Sequence, residues 1–312
     1  MTACLLAGVG LVLYPVVGTY LNERSFGEAV ARYEQTVQTL PEGERQRMLA
    51  EARAYNDSLR GDPVRDPFVQ GSGYAVPDNY DEVLDVDGTG LMGTVRVPAL
   101  GLALPLYHGT SDEVLARGAG HLPQTSLPVG GEGTHAVITG HTGLPTARLF
   151  TDLARLGIGD VLIVEVLGER RAYAVDDVRV VEPDDVSAIR IDEGRELVTL
   201  LTCTPYGVNS HRLLVRGERC ELPEEAAPST AATPAWPLAL AFGVTAAAVA
   251  AIAATAVRRR RRGGPGGGPA SRRRDRTTGG GGGCERAPIG RPPGGVGAVC
   301  GRRLGTRLRR PR

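Results

Sequence analysis

Cys203 closes the run Val198-Thr-Leu-Leu-Thr-Cys203, and Arg212 follows nine residues later. A thiol at the end of a β-strand is held rigidly. The Thr204-Pro205-Tyr206-Gly207 segment turns the chain, and two strands flanking a short loop bring a guanidinium beside the sulfur. A cation there favours thiolate and can hold an oxyanion. His141 lies in Val137-Ile-Thr-Gly-His141-Thr-Gly, where a strand gives way to a loop. An imidazole near a thiol can protonate a leaving amine and deprotonate an incoming one. His135 shares a face with Thr139 if its strand is regular, so spacing alone does not choose between His135 and His141. His108, His121 and His211 complete the set of five histidines. Each signal is weak alone, because a lone buried cysteine is more often structural than catalytic.

The remaining cysteines narrow the chemistry. Cys4 lies in an apolar N-terminal segment, and Cys284 and Cys300 lie in a C-terminal tail. Cys220 shares a domain with Cys203, and exported pairs of this kind often form disulfides. A bond to Cys203 would abolish a nucleophile there, so Cys220 is expected as a free or buried thiol. No Cys-x-x-Cys occurs, so neither a structural zinc site nor any other metal or cofactor is expected.

The elements that must position these residues are mostly strands. Short β-rich runs occupy Met92–Val97, Leu102–Tyr107, His135–Thr139, Val161–Val166, Arg171–Val181, Glu196–Thr202 and Leu213–Arg216. Turn residues separate most of them, which predicts a barrel or sandwich over 81–222 rather than a parallel sheet. Short helices fit Ser111–Arg117 and Ala147–Leu153. Ahead of the strands, 23–60 is rich in Glu, Arg, Ala and Gln, with Pro41 and Gly43 dividing it into two amphipathic helices. Residues 61–80, punctuated by Pro and Gly, read as an irregular loop.

Composition sets the compartment. All 36 basic residues are Arg, so no lysine is available for Schiff-base chemistry. The net charge of +1 hides an acidic body and an Arg- and Gly-rich tail over 258–312, which excludes a uniformly basic nucleic-acid binder. The tail is expected to be disordered against anionic lipid heads. Leu238 to Val257 carries no charge and is long enough to span a hydrocarbon core. Trp236 stands before it and Arg258 to Arg262 after it, which predicts a transmembrane helix over 236–257 with the tail cytoplasmic. Residues 1–22 form a second apolar segment, expected as a membrane anchor in preference to a cleaved signal. Residues 223–235 are then a linker, and 23–235 an extracellular domain.

The combined wording resembles a known family. Thr199-Leu-Leu-Thr-Cys203 with Arg212 is similar to the sortase signature TLxTC…R, and Ile138-Thr-Gly-His141 to the segment carrying the sortase histidine. The similarity runs through Gly93–Arg219. Tyr107-His-Gly-Thr110, Gly143-Leu-Pro-Thr-Ala-Arg-Leu-Phe-Thr-Asp152 and Glu182-Pro-Asp-Asp185 look like class C, the pilin-polymerising sortases. Asp66-Pro67-Phe68 resembles the Asp-Pro-aromatic lid that plugs class C active sites.

The resemblance implies a closed eight-stranded β-barrel with short helices, flanked by the helical segment, the lid and the membrane helices. It assigns Cys203 as nucleophile, His141 as general acid/base and Arg212 as oxyanion or substrate-positioning group. The implied reaction cleaves an LPxTG-like sorting signal between Thr and Gly through a thioacyl enzyme. A pilin lysine amine then resolves it. The implied partners are pilin or surface-protein substrates and membrane lipids, with no nucleic acid. A housekeeping-type sortase acting on the peptidoglycan precursor shares the three residues and differs in lid and second span. A papain-like protease would place its cysteine early, near a helix N-terminus. A membrane-tethered adhesin or assembly scaffold would show no turnover.

Overall fold

The structure is a computed structural model. It describes residues 2–59, 78–223 and a scatter of helical residues between 239 and 258. The Asp66-Pro67-Phe68 lid segment, ten of the 22 residues of 236–257 and nearly all of the Arg- and Gly-rich tail lie outside the described residues. Two helices come first, α1 (Thr2–Thr39) and α2 (Glu42–Ser58). Pro41 parts them, because its ring fixes φ and it lacks the N–H that a continuing helix needs. The expected boundary at residue 22 is not a break, since α1 runs on through Pro15 from the apolar segment into the amphipathic one. Among the described residues, no helix is long and apolar enough to cross a membrane.

Eight strands follow: β1 (Leu91–Val97), β2 (Leu102–His108), β3 (Ala119–His121), β4 (Thr134–Thr139), β5 (Val161–Val166), β6 (Glu169–Val181), β7 (Glu196–Thr204) and β8 (His211–Cys220). They close into a barrel in the order β1-β2-β3-β4-β7-β8-β6-β5. The pairs β2–β3 and β4–β7 are parallel and the others antiparallel. β3 escaped the sequence reading because Ala-Gly-His offers no apolar alternation. A short helix α3 (Asp112–Arg117) lies between β2 and β3, its first turn capped by Ser111. The helix expected over Ala147–Leu153 does not form. The Phe150 N–H is drawn to the His141 carbonyl at 3.1 Å, and Leu149 takes φ +39°, which leaves turns and a short 3-10 segment at Leu153–Arg155.

Strand alternation sorts side chains to two faces. Val95, Leu106, Val164, Val198, Leu200 and Val215 belong to the main core, which α1 and α2 extend with Phe26, Tyr33, Leu49 and Tyr55. Tyr33 ties α1 to the barrel: its hydroxyl donates to Met92 O at 2.8 Å and accepts from Leu167 N at 2.9 Å. Asn56 of α2 does the same for the β3–β4 connection, with Nδ2 donating to Leu127 O at 3.0 Å and Oδ1 accepting from Leu127 N at 2.7 Å. A buried amide left unpaired costs about 1–3 kcal/mol, so such pairs specify where the helices dock. A smaller cluster of Leu122, Val137, Ile189, Leu201 and Leu214 covers the other face of β4, β7 and β8.

Candidate active site

Cys203 and Arg212 are direct register partners across the antiparallel β7–β8 pair. Cys203 has the same strand parity as Leu201, and Arg212 the same as Leu214, so both project from the face of the smaller apolar cluster. β4 runs parallel to β7, with Thr139 opposite Leu201. His141 lies two residues past Thr139, as Cys203 lies two past Leu201. The pairing is carried one step beyond the strand: Gly140 N–H donates to Leu201 O at 3.1 Å, and Thr202 Oγ1 donates to Gly140 O at 2.7 Å. The hydroxyl just before the thiol therefore fastens the backbone just before the imidazole.

Cys203 and His141 are partly exposed, and Arg212 is buried. Arg212 Nη1 donates to the carbonyls of Asn209 and His211 at 3.3 Å, which orients the guanidinium from its own loop. Burial pushes the His141 imidazole below its ordinary value, and the Asp112 carboxylate at the start of α3 opposes that shift. His141 is therefore largely neutral at pH 7. A neutral imidazole can take a proton from a thiol and return it to a departing amine. The guanidinium offers planar N–H donors to an oxygen that becomes negative.

The other histidines are occupied elsewhere. His135 is fully buried near the far end of β4, with Nε2 2.7 Å from Thr199 Oγ1 and Nδ1 2.7 Å from Arg190 O. His121 lies between Tyr80 Oη at 3.0 Å and Ser126 O at 2.9 Å. Both ring nitrogens of His108 face backbone carbonyls, those of Gly90 and Val83. His211 is nearer the thiol, opposite Thr204, but its Nε2 faces Glu182 Oε1 at 3.2 Å. Cys220 is a free thiol at the end of β8, and burial raises it, which keeps it protonated. Cys203 likewise forms no disulfide.

Three features escaped sequence reasoning. Thr202 sits within the quoted signature, but its bond to Gly140 depends on a β4–β7 pairing that spacing does not reveal. Asp112 follows a helix-capping serine, a local signal that does not say which residue the carboxylate faces. Tyr206 is 65% exposed, and its ring lies where a Cβ on Gly143 would come within 3.2 Å. The aromatic from the β7–β8 loop thus rests on the turn after His141.

Comparison with known proteins agrees with this arrangement. Residues 95–220 match the family model for the sortase domain. "Sortase A" of Bacillus anthracis is 30% identical over 152 residues, which cover 48% of this chain and 70% of that protein. Among solved structures, sortase C of Streptococcus pneumoniae, an enzyme with pilin substrate specificity, is similar at 42% identity and a TM-score of 0.57, covering 62% of this chain and 97% of its own. Sortase C-1 of Actinomyces oris gives 46% identity and a TM-score of 0.54, over 57% of this chain and 99% of its own. The matched span holds β-strands, thiol, guanidinium and imidazole together, and the chain belongs to the sortase family of cysteine transpeptidases.

Proposed function

We propose that the chain is a class C sortase that joins pilin subunits at the outer face of a membrane. The observation that carries the chemistry is the Cys203–Arg212 register pair with His141 alongside on the same face. Neutral His141 takes the Cys203 proton as the sulfur attacks the Thr carbonyl of an LPxTG-like signal. Arg212 donates to the oxyanion. The C–N bond breaks, the imidazolium protonates the Gly amine, and a thioacyl enzyme remains. A pilin lysine amine then attacks that carbonyl carbon. His141 accepts the amine proton and returns it to the departing sulfur, leaving an isopeptide bond and the starting enzyme. Exclusion of water favours the amide over hydrolysis.

Asp66-Pro67-Phe68 is proposed as a lid, with Phe68 over Cys203 and Asp66 paired to Arg212. Residues 1–22 and 236–257 are proposed as membrane segments, with the tail cytoplasmic. The exposure of Leu11, Tyr14 and Leu21 on the first half of α1 favours an apolar environment for that segment. The likeness to pilus-related sortase C enzymes favours lysine as acceptor. The test is transfer of a synthetic LPxTG peptide by the purified chain, read by mass spectrometry, with a pilin lysine peptide and a peptidoglycan-precursor amine in competition. Preference for lysine supports the proposal. Preference for the precursor amine replaces it with the housekeeping reading, and absence of any acyl enzyme with an open lid favours a scaffold.

A further inference from the structure

Strand pairing fixes Cys203 and Arg212, but His141 stands in a loop, and loops are the elements that open most readily. The loop is closed on itself by Phe150 N–H to His141 O at 3.1 Å and Gly143 N–H to Thr151 Oγ1 at 3.1 Å. Its outer turn is gripped by α1, the helix that begins as the apolar N-terminal segment. Asn22 Nδ2 donates to Thr146 O at 2.8 Å. One helical turn earlier, Gly18 faces the same residue: a Cβ there would lie 2.5 Å from Thr146 Cγ2 and 2.7 Å from Thr146 Cβ. Residues 18 and 22 share one face of a helix, so the two contacts form a single patch. Glu23 follows, its carboxyl raised by partial burial while Arg148 of the same loop opposes the shift. A membrane anchor needs neither a glycine at that position nor an amide bonded to a residue 124 positions away.

We infer that α1 braces the histidine loop, and that Gly18 and Asn22 are positioning residues that act on His141 through Thr146. The inference rests on the proposed acid/base role of His141. A displacement of the order of 1 Å in a reacting group can cost about 10²-fold in rate. Gly18 is required by close approach and not by backbone conformation, since alanine is the better helix former.

The experiment uses the full 312-residue chain in detergent, as wild type, Asn22→Ala, Gly18→Ala, Thr146→Gly, the Gly18→Ala/Thr146→Gly double variant and His141→Ala. Turnover of an LPxTG peptide, alkylation of Cys203 and hydrogen exchange of amides 141–152 are measured on each. Asn22→Ala and Gly18→Ala are expected to lower kcat by about 10–100-fold with KM and Cys203 alkylation unchanged. Their loop amides should exchange faster than in wild type. The Gly18→Ala loss should vanish in the Thr146→Gly background, because the side chain it meets is gone. A merely structural helix position would leave Gly18→Ala at or above wild type. Unchanged kcat and exchange in both single variants overturns the inference, as does a Gly18→Ala loss that Thr146→Gly fails to relieve. Full turnover in His141→Ala overturns it through its premise, and loop exchange then still reports whether α1 holds the turn.

Discussion

The outer face of β4, β7 and β8 carries two sets of the same chemistry. At one end stand His141, Cys203 and Arg212; four residues back along β7 and β8 stand Thr199 and Arg216, again register partners, with His135 beside them. The two sets are roughly 13 Å apart along β7. At the second end every group is spent. Thr199 and His135 are fully buried against each other, and Arg216 holds Asp176 through Nε at 3.1 Å and Nη2 at 2.7 Å. Arg195 bridges Asp176 and Glu218 at 2.6 Å to each. At the first end the thiol and the imidazole keep solvent access. A histidine, a hydroxyl or thiol and an arginine in register are thus not enough. Solvent access at the thiol and the imidazole is what sets the first end apart from the second.

The largest effect that would break this comparison is loss of the thiol. Cys203→Ala should eliminate the acyl adduct while the circular dichroism of the barrel is retained. Mass spectrometry of a sorting-signal reaction checks this, and an adduct on Cys220 in both proteins would defeat the assignment.

The next test exchanges the two ends. His141→Ala should cost about 10²–10⁴-fold in turnover and Arg212→Ala about 10²–10³-fold, with Arg212→Lys a poor rescue because an ammonium lacks the planar fork. His135→Ala should leave kcat within a few-fold and lower stability by about 1–3 kcal/mol, through the unpaired Thr199 hydroxyl and Arg190 carbonyl. An inactive His135→Ala beside an active His141→Ala would reverse the roles of the two ends.

Acid separates the ends by stability. Burial lowers the pKa of His135 to about 4 and of His121 to about 3. Both folded values lie below the unfolded one, so the unfolded chain binds more protons between about pH 6.5 and those values. Their contribution is complete above pH 6.5 and is lost as pH falls through that window. At pH 5 each histidine should withdraw about 2 kcal/mol relative to neutral pH. Denaturant midpoints from pH 7.5 to 5 should fall steeply in wild type and less steeply in His135→Gln. His141 is lowered too, so the acid limb of turnover should lie below pH 6.5.

The smallest expected effect concerns the proposed lid. An exposed Asp–Arg pair is worth about 0–1 kcal/mol and a buried Phe roughly 1.5–3 kcal/mol. Phe68→Ala should therefore speed alkylation of Cys203 more than Asp66→Ala, by about tenfold per 1.4 kcal/mol of latch lost, with the double variant fastest. Equal rates in all of them, with Cys220 replaced to remove background, would reduce Asp66-Pro67-Phe68 to a turn.

Strands with apolar alternation were legible in the sequence. Val161–Val166 has the predicted bounds, and β1, β2, β4 and β7 lie within two residues of them at each end. β8 is longer at both ends than Leu213–Arg216, because barrel partners hold His211 and Cys220 in the ladder although the residues beyond those bounds lack apolar alternation. The Cys203–Arg212 pairing was legible because a strand, a short loop and a strand bring residues nine apart into register. The choice of histidine was not, since His135 and His141 share a face and differ only in what surrounds them. The β4–β7 neighbourhood is a parallel pairing across some sixty residues, and no local pattern encodes it. The failed helix at Ala147–Leu153 has a nearer cause: the Phe150 N–H bonds the His141 carbonyl nine residues back, in a segment whose local composition favours coiling.

The barrel is closed: β1 pairs with β5 as well as β2, so each of the eight strands has a neighbour on both sides. An extended peptide commonly joins a protein by adding itself to a free strand edge, through backbone hydrogen bonds that ignore side chains. Among the described residues no whole strand is left as an edge, and only strand ends such as Asp177–Val181 of β6 pair on one side alone. Under the proposed function, a sorting signal would then be read chiefly by side chains standing on the outer wall, so its sequence would matter more than its extended shape. The same closure leaves other chains little template for strand addition.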